Sequence, residues 1–168
     1  KNVSKIIEAN QIDLEKATRK KLSDSFIDRL LLNESRIIDL SNSLIEIVKL
    51  EDPVGKTLEK WERPNGLEIT RVSVPLGVIG IIYESRPNVT IDAGCLCIKS
   101  GNVAILRGGS DSFETSKLLT HIIQKGLIEA NLPQNSVQFV NTTNRDMVTQ
   151  MITCNKYICY KTHMANKT

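Results

Sequence analysis

Val78-Ile79-Gly80-Ile81-Ile82-Tyr83 is a run without a charge and without polar alternation. It is too short for a buried helix and lacks the polar face of an exposed strand. It therefore reads as a strand covered on both sides, as in a parallel sheet. Pro75-Leu76-Gly77 breaks the chain before it, and the polar loop Glu84-Ser85-Arg86-Pro87-Asn88 follows it. Residues 89–99 then read as a helix, with Gly101 where a left-handed C-cap costs least. The unit repeats. Val103 to Leu106 is a short strand, Arg107-Gly108-Gly109-Ser110 a tight loop, and Phe113, Leu119, Ile122, Ile123 and Leu127 a helix stripe with Asp111 and Glu114 at capping-box spacing. Leu132-Pro133 ends that helix, Val137 to Val140 is a third strand, and Met147, Val148, Met151 and Ile152 share one side of a last helix. Buried strands alternating with helices predict a parallel α/β sheet.

Upstream the pattern is helical. Ile6, Ile7, Leu14 and Ala17 suggest one amphipathic helix, and Phe26 to Leu32 a shorter one after Ser23-Asp24. Ile37, Ile38, Leu44, Ile45 and Val48 suggest a third, capped by Asn33 or Ser35 and closed by the positive charge of Lys49. Asp52-Pro53-Val54-Gly55 stops the helices, and Arg63-Pro64-Asn65-Gly66 marks a turn. From Leu67 to Val74 apolar residues alternate with one slip of phase, which reads as an exposed strand with a bulge. The predicted organisation is a helical region over 1–65, a partial α/β domain over 66–158 and a polar, unpatterned tail over 159–168.

The 168 residues are 40% apolar and 24% charged, enough for a buried core. No stretch is apolar for long enough to span a membrane, and residues 1–7 carry no signal-peptide core. The net charge of +3 is spread out, and Arg19-Lys20-Lys21 is too short to argue for nucleic acid. Four cysteines without a secretory start read as reduced thiols of a cytoplasmic protein.

In such a sheet, ligands sit beyond the carboxyl ends of the strands, where the loops 84–88 and 107–110 lie. The second has the chemistry of an anion site. Adjacent glycines let backbone N–H groups approach a phosphate, the next helix N-terminus adds positive potential, and Arg107 offers two parallel hydrogen bonds. The same residues also read as a plain turn with a solvated arginine. Cys95 and Cys97 lie in the helix between the strands and read as small packing residues. Cys154, Cys159 and His163 approach zinc-ligand spacing without a fourth ligand, so no metal is expected. His121 reads as a structural residue, and Trp61 and Tyr83 are too isolated to stack bases.

Residues 74–90 (Val74-Pro75-Leu76-Gly77 through Asn88-Val89-Thr90) closely resemble a signature of the gamma-glutamyl phosphate reductase family, also called glutamate-5-semialdehyde dehydrogenase, within the aldehyde dehydrogenase superfamily. Residues 96–110, Leu96-Cys97-Ile98-Lys99 through Arg107-Gly108-Gly109-Ser110, resemble a second. Weaker likeness at Asp28-Arg29-Leu30, Asp52-Pro53-Val54-Gly55, Leu132-Pro133, Val137-Gln138 and Asn155-Lys156-Tyr157-Ile158 extends it up to Ile158.

The resemblance implies helices followed by an incomplete Rossmann-like sheet of the aldehyde dehydrogenase type. It implies an NADPH-dependent reductase of proline biosynthesis, in which a cysteine thiolate attacks gamma-glutamyl phosphate, phosphate leaves and the thioester accepts hydride. By the same resemblance Arg107, Gly108, Gly109 and Ser110 lie on the adenosine-phosphate side of NADPH. Ser85, Arg86 and Pro87 face nicotinamide and substrate, and Asn88 is an oxyanion donor through its amide N–H. The family's fourth strand would hold Tyr157-Ile158. After it the likeness stops, and no residue here matches the nucleophilic cysteine. We therefore expect an N-terminal portion, inactive alone. The alternative is a non-catalytic nucleotide-phosphate-binding module or the vestigial product of a decaying gene. Three strands leave an open edge, so self-association through 67–74, or unstructured last residues, is expected.

Overall fold

The computed structural model describes residues 2–164, the side chains of His163 and Met164 excepted. Three helices come first: α1 (Val3–Arg19), α2 (Asp24–Leu30) and α3 (Glu34–Lys49). A hairpin of β1 (Thr57–Glu62) and β2 (Glu68–Val72) follows. The α/β part comprises β3 (Val78–Tyr83), α4 (Pro87–Lys99), β4 (Val103–Arg107), α5 (Phe113–Glu129), β5 (Val137–Phe139), α6 (Asp146–Thr153) and β6 (Tyr160–Met164). Its sheet runs β5-β4-β3-β6 with every pair parallel, as the apolar run 78–83 predicts for the central strand.

Alternate residues of β3 feed two cores. Ile81 and Tyr83 join Ala93, Cys97, Leu106, Leu127 and Val137 under α4 and α5. Ile82 turns the other way to Met151 and Ile158 under α6. Burying a side chain such as Leu106 or Val137 fully is worth about 1.5–3 kcal/mol, and both are 0% exposed. Gly101 closes α4 with φ of 70°, the left-handed cap its position predicts. Pro87 begins α4 two residues earlier than the apolar pattern suggests, because a proline's missing N–H costs nothing at the first helical position.

Several expectations change. The sheet gains its fourth strand from the polar tail: residues 160–164 pair with β3, while Tyr157-Ile158 lies just ahead of the strand, with Ile158 in the core. Polar residues serve here because the pairing is made by backbone groups. The rest of the tail, and the His163 side chain of the zinc-like spacing, lie outside the described residues. The bulge falls in β1, between Thr57 and Glu59, and β1 is a strand that apolar alternation does not reveal. All of β1 is exposed, so packing imposes no pattern on it. In α3 the buried side is Ile37 with Leu40 and Leu44; Ile38, Ile45 and Val48 are exposed. Asn33 caps that helix as predicted, accepting from the Arg36 N–H at 2.9 Å.

The largest departure is in α1. Its buried residues are Ile6, Asn10, Asp13 and Ala17, one helical face with two polar members, while Ile7 is exposed. Asn10 accepts from the Leu32 N–H at 2.8 Å and donates to the Leu30 carbonyl at 2.8 Å and to Thr115 Oγ1 at 3.3 Å. The Asp13 carboxylate accepts from the Thr115 N–H at 2.8 Å, Thr115 Oγ1 at 2.7 Å and the Glu114 N–H at 3.3 Å. It therefore caps α5 from another helix. Asp111 and Glu114, expected as a capping box, instead pair with Lys20 at 2.6 Å and Lys16 at 3.2 Å. Those pairs are partly exposed and add little.

Asp13→Ala leaves three donors without their acceptor and is expected to cost about 2–4 kcal/mol in a denaturant titration. Burial pushes the Asp13 carboxyl above its ordinary 3.8, outweighing the Thr115 and Glu114 hydrogen bonds and Lys16. The folded chain thus keeps this proton to higher pH than the unfolded chain. Its contribution to stability falls as pH rises from 3.8 through the folded value, and Asp13→Ala should remove that slope.

Candidate functional site

Beyond the carboxyl ends of β3 and β4 lies a cavity of about 660 Å³. Its wall includes Tyr83, Glu84 and Ser85 from the first loop and Arg107, Gly109, Ser110 and Asp111 from the second. Arg29 from α2 and Thr143, Arg145 and Thr149 from the β5–α6 side complete it. Loops that close at strand ends converge because parallel strands all end on one side.

The two loops touch. A Cβ at Gly109 would stand 2.1 Å from Ser85 Oγ and 2.7 Å from the Ser85 backbone nitrogen. A Cβ at Gly108 would meet the Tyr83 ring at 3.0–3.1 Å. The glycines are therefore needed by the protein's own packing. One expectation is corrected at the α5 N-terminus: its Glu114 and Thr115 N–H groups are taken by Asp13. The positive potential predicted there is largely spent internally.

Arg107 is buried, 7% exposed, instead of a solvated turn residue. Its guanidinium donates to the Gly108 carbonyl and, at 3.1 Å, to the Thr143 carbonyl, while Nε has no partner among the described residues. It ties β4 to the β5–α6 connection. Tyr83, beside it, shares a 2.8 Å hydrogen bond with Thr90 Oγ1. Burial raises the phenol above 10.0, with hydrogen bonds and Arg107 opposing.

A second cavity, about 460 Å³, lies between α2–α3 and the start of α4. Arg86 and Asn88 open onto it together with Asp92, one turn further along α4, and Asp39 of α3. Arg29 lines both cavities. The loop 84–88 is thus split: Ser85 faces the first cavity, Arg86 and Asn88 the second. Pro87 is fully buried, and it and Gly108 line neither.

The structure thus brings Ser85 together with Arg107, Gly109 and Ser110, and sets Arg86 apart with Asn88, whereas the sequence reading groups Ser85 with Arg86, Pro87 and Asn88. That reading missed Arg29, Arg145, Asp39 and Asp92. The spacing of four between Asn88 and Asp92 was the available signal for Asp92, since it sets both on one helical face. Arg145 and Asp39 are brought in by tertiary packing. No cysteine lines either cavity. Cys97 is in the core and Cys95 is packed beside α5 residues. Burial, then Asp92 and Cys97, push the Cys95 thiol up to about 11, and burial raises Cys97. Neither is a ready nucleophile. Among the described residues no cluster of metal-ligating side chains occurs. No described helix is long and apolar enough to cross a membrane.

Gly109→Ala should force the two loops apart and cost about 1–3 kcal/mol, read as a lowered Tm. Gly126→Ala is the control: a Cβ there meets nothing within 4 Å, and alanine on α5 should be neutral or stabilise by up to about 1 kcal/mol.

No family model matches the chain. A gamma-glutamyl phosphate reductase of Clostridium tetani is 52% identical over 157 residues, 94% of this chain and 37% of that protein. The crystal structure of gamma-glutamyl phosphate reductase from Thermotoga maritima superposes with a TM-score of 0.95 at 42% identity, covering 99% of this chain and 40% of its own. That of Saccharomyces cerevisiae gives 0.89 at 33% identity, covering 99% and 42%. An engineered glycolyl-CoA reductase with bound NADP+ shares the fold, with a TM-score of 0.60 at 18% identity, 97% of this chain and 42% of its own. The chain spans 37% of the length of the curated relatives it matches. In sequence and in backbone, it matches a segment of the gamma-glutamyl phosphate reductases that amounts to little more than a third of their length.

Proposed function

We propose that this chain supplies the nucleotide-binding and acyl-positioning part of a gamma-glutamyl phosphate reductase of proline biosynthesis. The observation that carries the reading is the pair of cavities sharing the loop 84–88, one lined by Arg107 and Ser110 and the other by Asn88. The close relatives bear that name, which supports the reductase over a free-standing binding module.

The first cavity suits the phosphate-bearing part of NADPH. Arg29, Arg107 and Arg145 bring positive charge, Ser85 and Ser110 bring hydroxyls, and Arg107 Nε is a buried donor without a partner among the described residues. NADPH, when bound, supplies the hydride. Within the chain, Arg107 holds the loop 107–110 against Thr143, Ser85 braces Gly109, and Arg145 at the exposed rim attracts phosphate. Asn88, at the start of α4, holds its amide N–H toward the oxygen that gains charge during acyl transfer. The attacking thiolate has no counterpart among the described residues: two cysteines are held protonated by burial and none lines a cavity.

The hairpin residues Leu58, Leu67, Val72 and Val74 are 42% or more exposed, and we propose 67–74 as a surface for self-association. Val74→Asp is expected to shift sedimentation toward a smaller species. An unchanged profile counts against this surface.

NADPH at a hundredfold excess over its dissociation constant should stabilise the chain by about 2.7 kcal/mol in a thermal melt. Arg145→Ala should weaken binding about tenfold, since a hydrogen bond to a charged group is worth about 1.5–3 kcal/mol. With gamma-glutamyl phosphate and NADPH the chain alone should leave NADPH absorbance constant. Sustained oxidation would overturn the reading that none of the four cysteines of this chain serves as the nucleophile.

A further inference from the structure

The helices after the two buried strands begin in different ways. The first N–H groups of α5 are taken by the Asp13 carboxylate. α4 has no such acceptor. Its N-cap residue is Arg86, whose side chain makes no capping hydrogen bond, and among the described residues the Asn88 N–H in the first turn has no acceptor. A helix start without a cap frays unless something else holds it. The inward side of the turn supplies the hold. Thr90 is fully buried there, and its Oγ1 shares a 2.8 Å hydrogen bond with the equally buried Tyr83 hydroxyl.

The connection continues beyond Tyr83. The Ser116 hydroxyl is a second hydrogen-bonding neighbour of the phenol. Ser116 Oγ donates to Ser112 Oγ at 3.4 Å, and Ser112 Oγ donates to the Gly109 carbonyl at 3.3 Å. Both serines are fully buried. A line of hydroxyls therefore runs inside the molecule from the loop 107–110 to the first turn of α4. The Tyr83 ring adds a second tie, since it occupies the space that a Cβ at Gly108 would need. Apolar side chains could fill the same volume, but a satisfied polar network admits one arrangement where packing alone admits several.

We propose that Tyr83 is a positioning residue for acyl transfer: through Thr90 its hydroxyl fixes the first turn of α4, and with it the direction of the Asn88 N–H, relative to the loop 107–110. The proposal rests on the reductase reading for the use to which Asn88 is put; the link between loop and helix does not. An oxyanion donor works only when aimed at the place where charge develops, and a misplacement of about 1 Å can cost about a hundredfold in rate.

The test is nitrogen-15 relaxation of the whole chain, unsubstituted and as Tyr83→Phe, Thr90→Val and Thr90→Ser. In the unsubstituted chain and in Thr90→Ser, which keeps the hydroxyl, the Asn88 N–H should have an order parameter of about 0.85, that of rigid backbone. In Tyr83→Phe, which keeps the ring, and in Thr90→Val, which keeps the shape, it should fall below about 0.6, with amides 115–127 of α5 unchanged. A lowered Tm with Asn88 as rigid as before makes the pair merely structural and overturns the proposal. Loosening in Thr90→Ser as well, or loosening that spreads through α5, overturns it too. Because both partners of one hydrogen bond are substituted separately, a variant that folds poorly leaves the other to decide. NADPH added to the same samples should shift amides 107–110 in every one, and those of Asn88 and Val89 only where the hydroxyl pair is intact. Shifts at 88 and 89 that persist without the pair, or that are missing from the unsubstituted chain, overturn the coupling. If NADPH shifts nothing, the nucleotide reading falls and the order parameters still decide the role of Tyr83. If NADPH binds and Asn88 stays rigid without the pair, the nucleotide reading stands and the role of Tyr83 falls.

Discussion

A single carboxylate inside the molecule organises it. Asp13 sits on α1, yet it accepts from the first N–H groups of α5, a helix a hundred residues later in the chain. Helix N-termini need acceptors and carry positive potential, so an internal carboxylate there joins two parts of the chain by the same interaction that elsewhere holds a ligand phosphate. Asn10, one turn earlier, adds hydrogen bonds to both ends of the α2–α3 connection. Together they set α1 against α5. They also hold α2 and α3 over α4, and the second cavity exists only because α3 and α4 are kept in that relation.

The same economy runs through the strand ends. Gly108 and Gly109 bring the second loop hard against Tyr83 and Ser85, and Arg107 is anchored by two carbonyls. The result is a stiff ridge between two cavities instead of a loose phosphate-binding loop. Ser85 on one flank and Arg86 with Asn88 on the other give one short loop two duties.

The periphery follows other rules. The β1–β2 hairpin pairs with itself and buries little, so its residues are free of the alternation that marks a packed strand. β6 pairs through its backbone along β3, and its polar composition is compatible with an outer strand of the sheet.

The central strand 78–83, the two loops after the buried strands, the Asn33 cap and the left-handed Gly101 were legible from residue order alone. Each is a local event: an apolar run, a turn, a cap within a few residues of its partner. Ser85, Arg107, Gly109 and Ser110 of the first cavity were legible for the same reason, since strand ends and loop positions follow from the alternation of elements. What only the tertiary structure decided is where long-range partners supply the missing half of an interaction. Asn10 and Asp13 look like solvent-facing polar residues until α5 and the α2–α3 connection arrive to bury them. Arg107 looks like a free cation until the Thr143 carbonyl meets it. Asp39 and Arg86 share a cavity only after α3 docks on α4. Local sequence determines which groups a segment offers; which distant group answers each one is settled by packing, because burial and hydrogen-bond satisfaction are properties of the assembled chain.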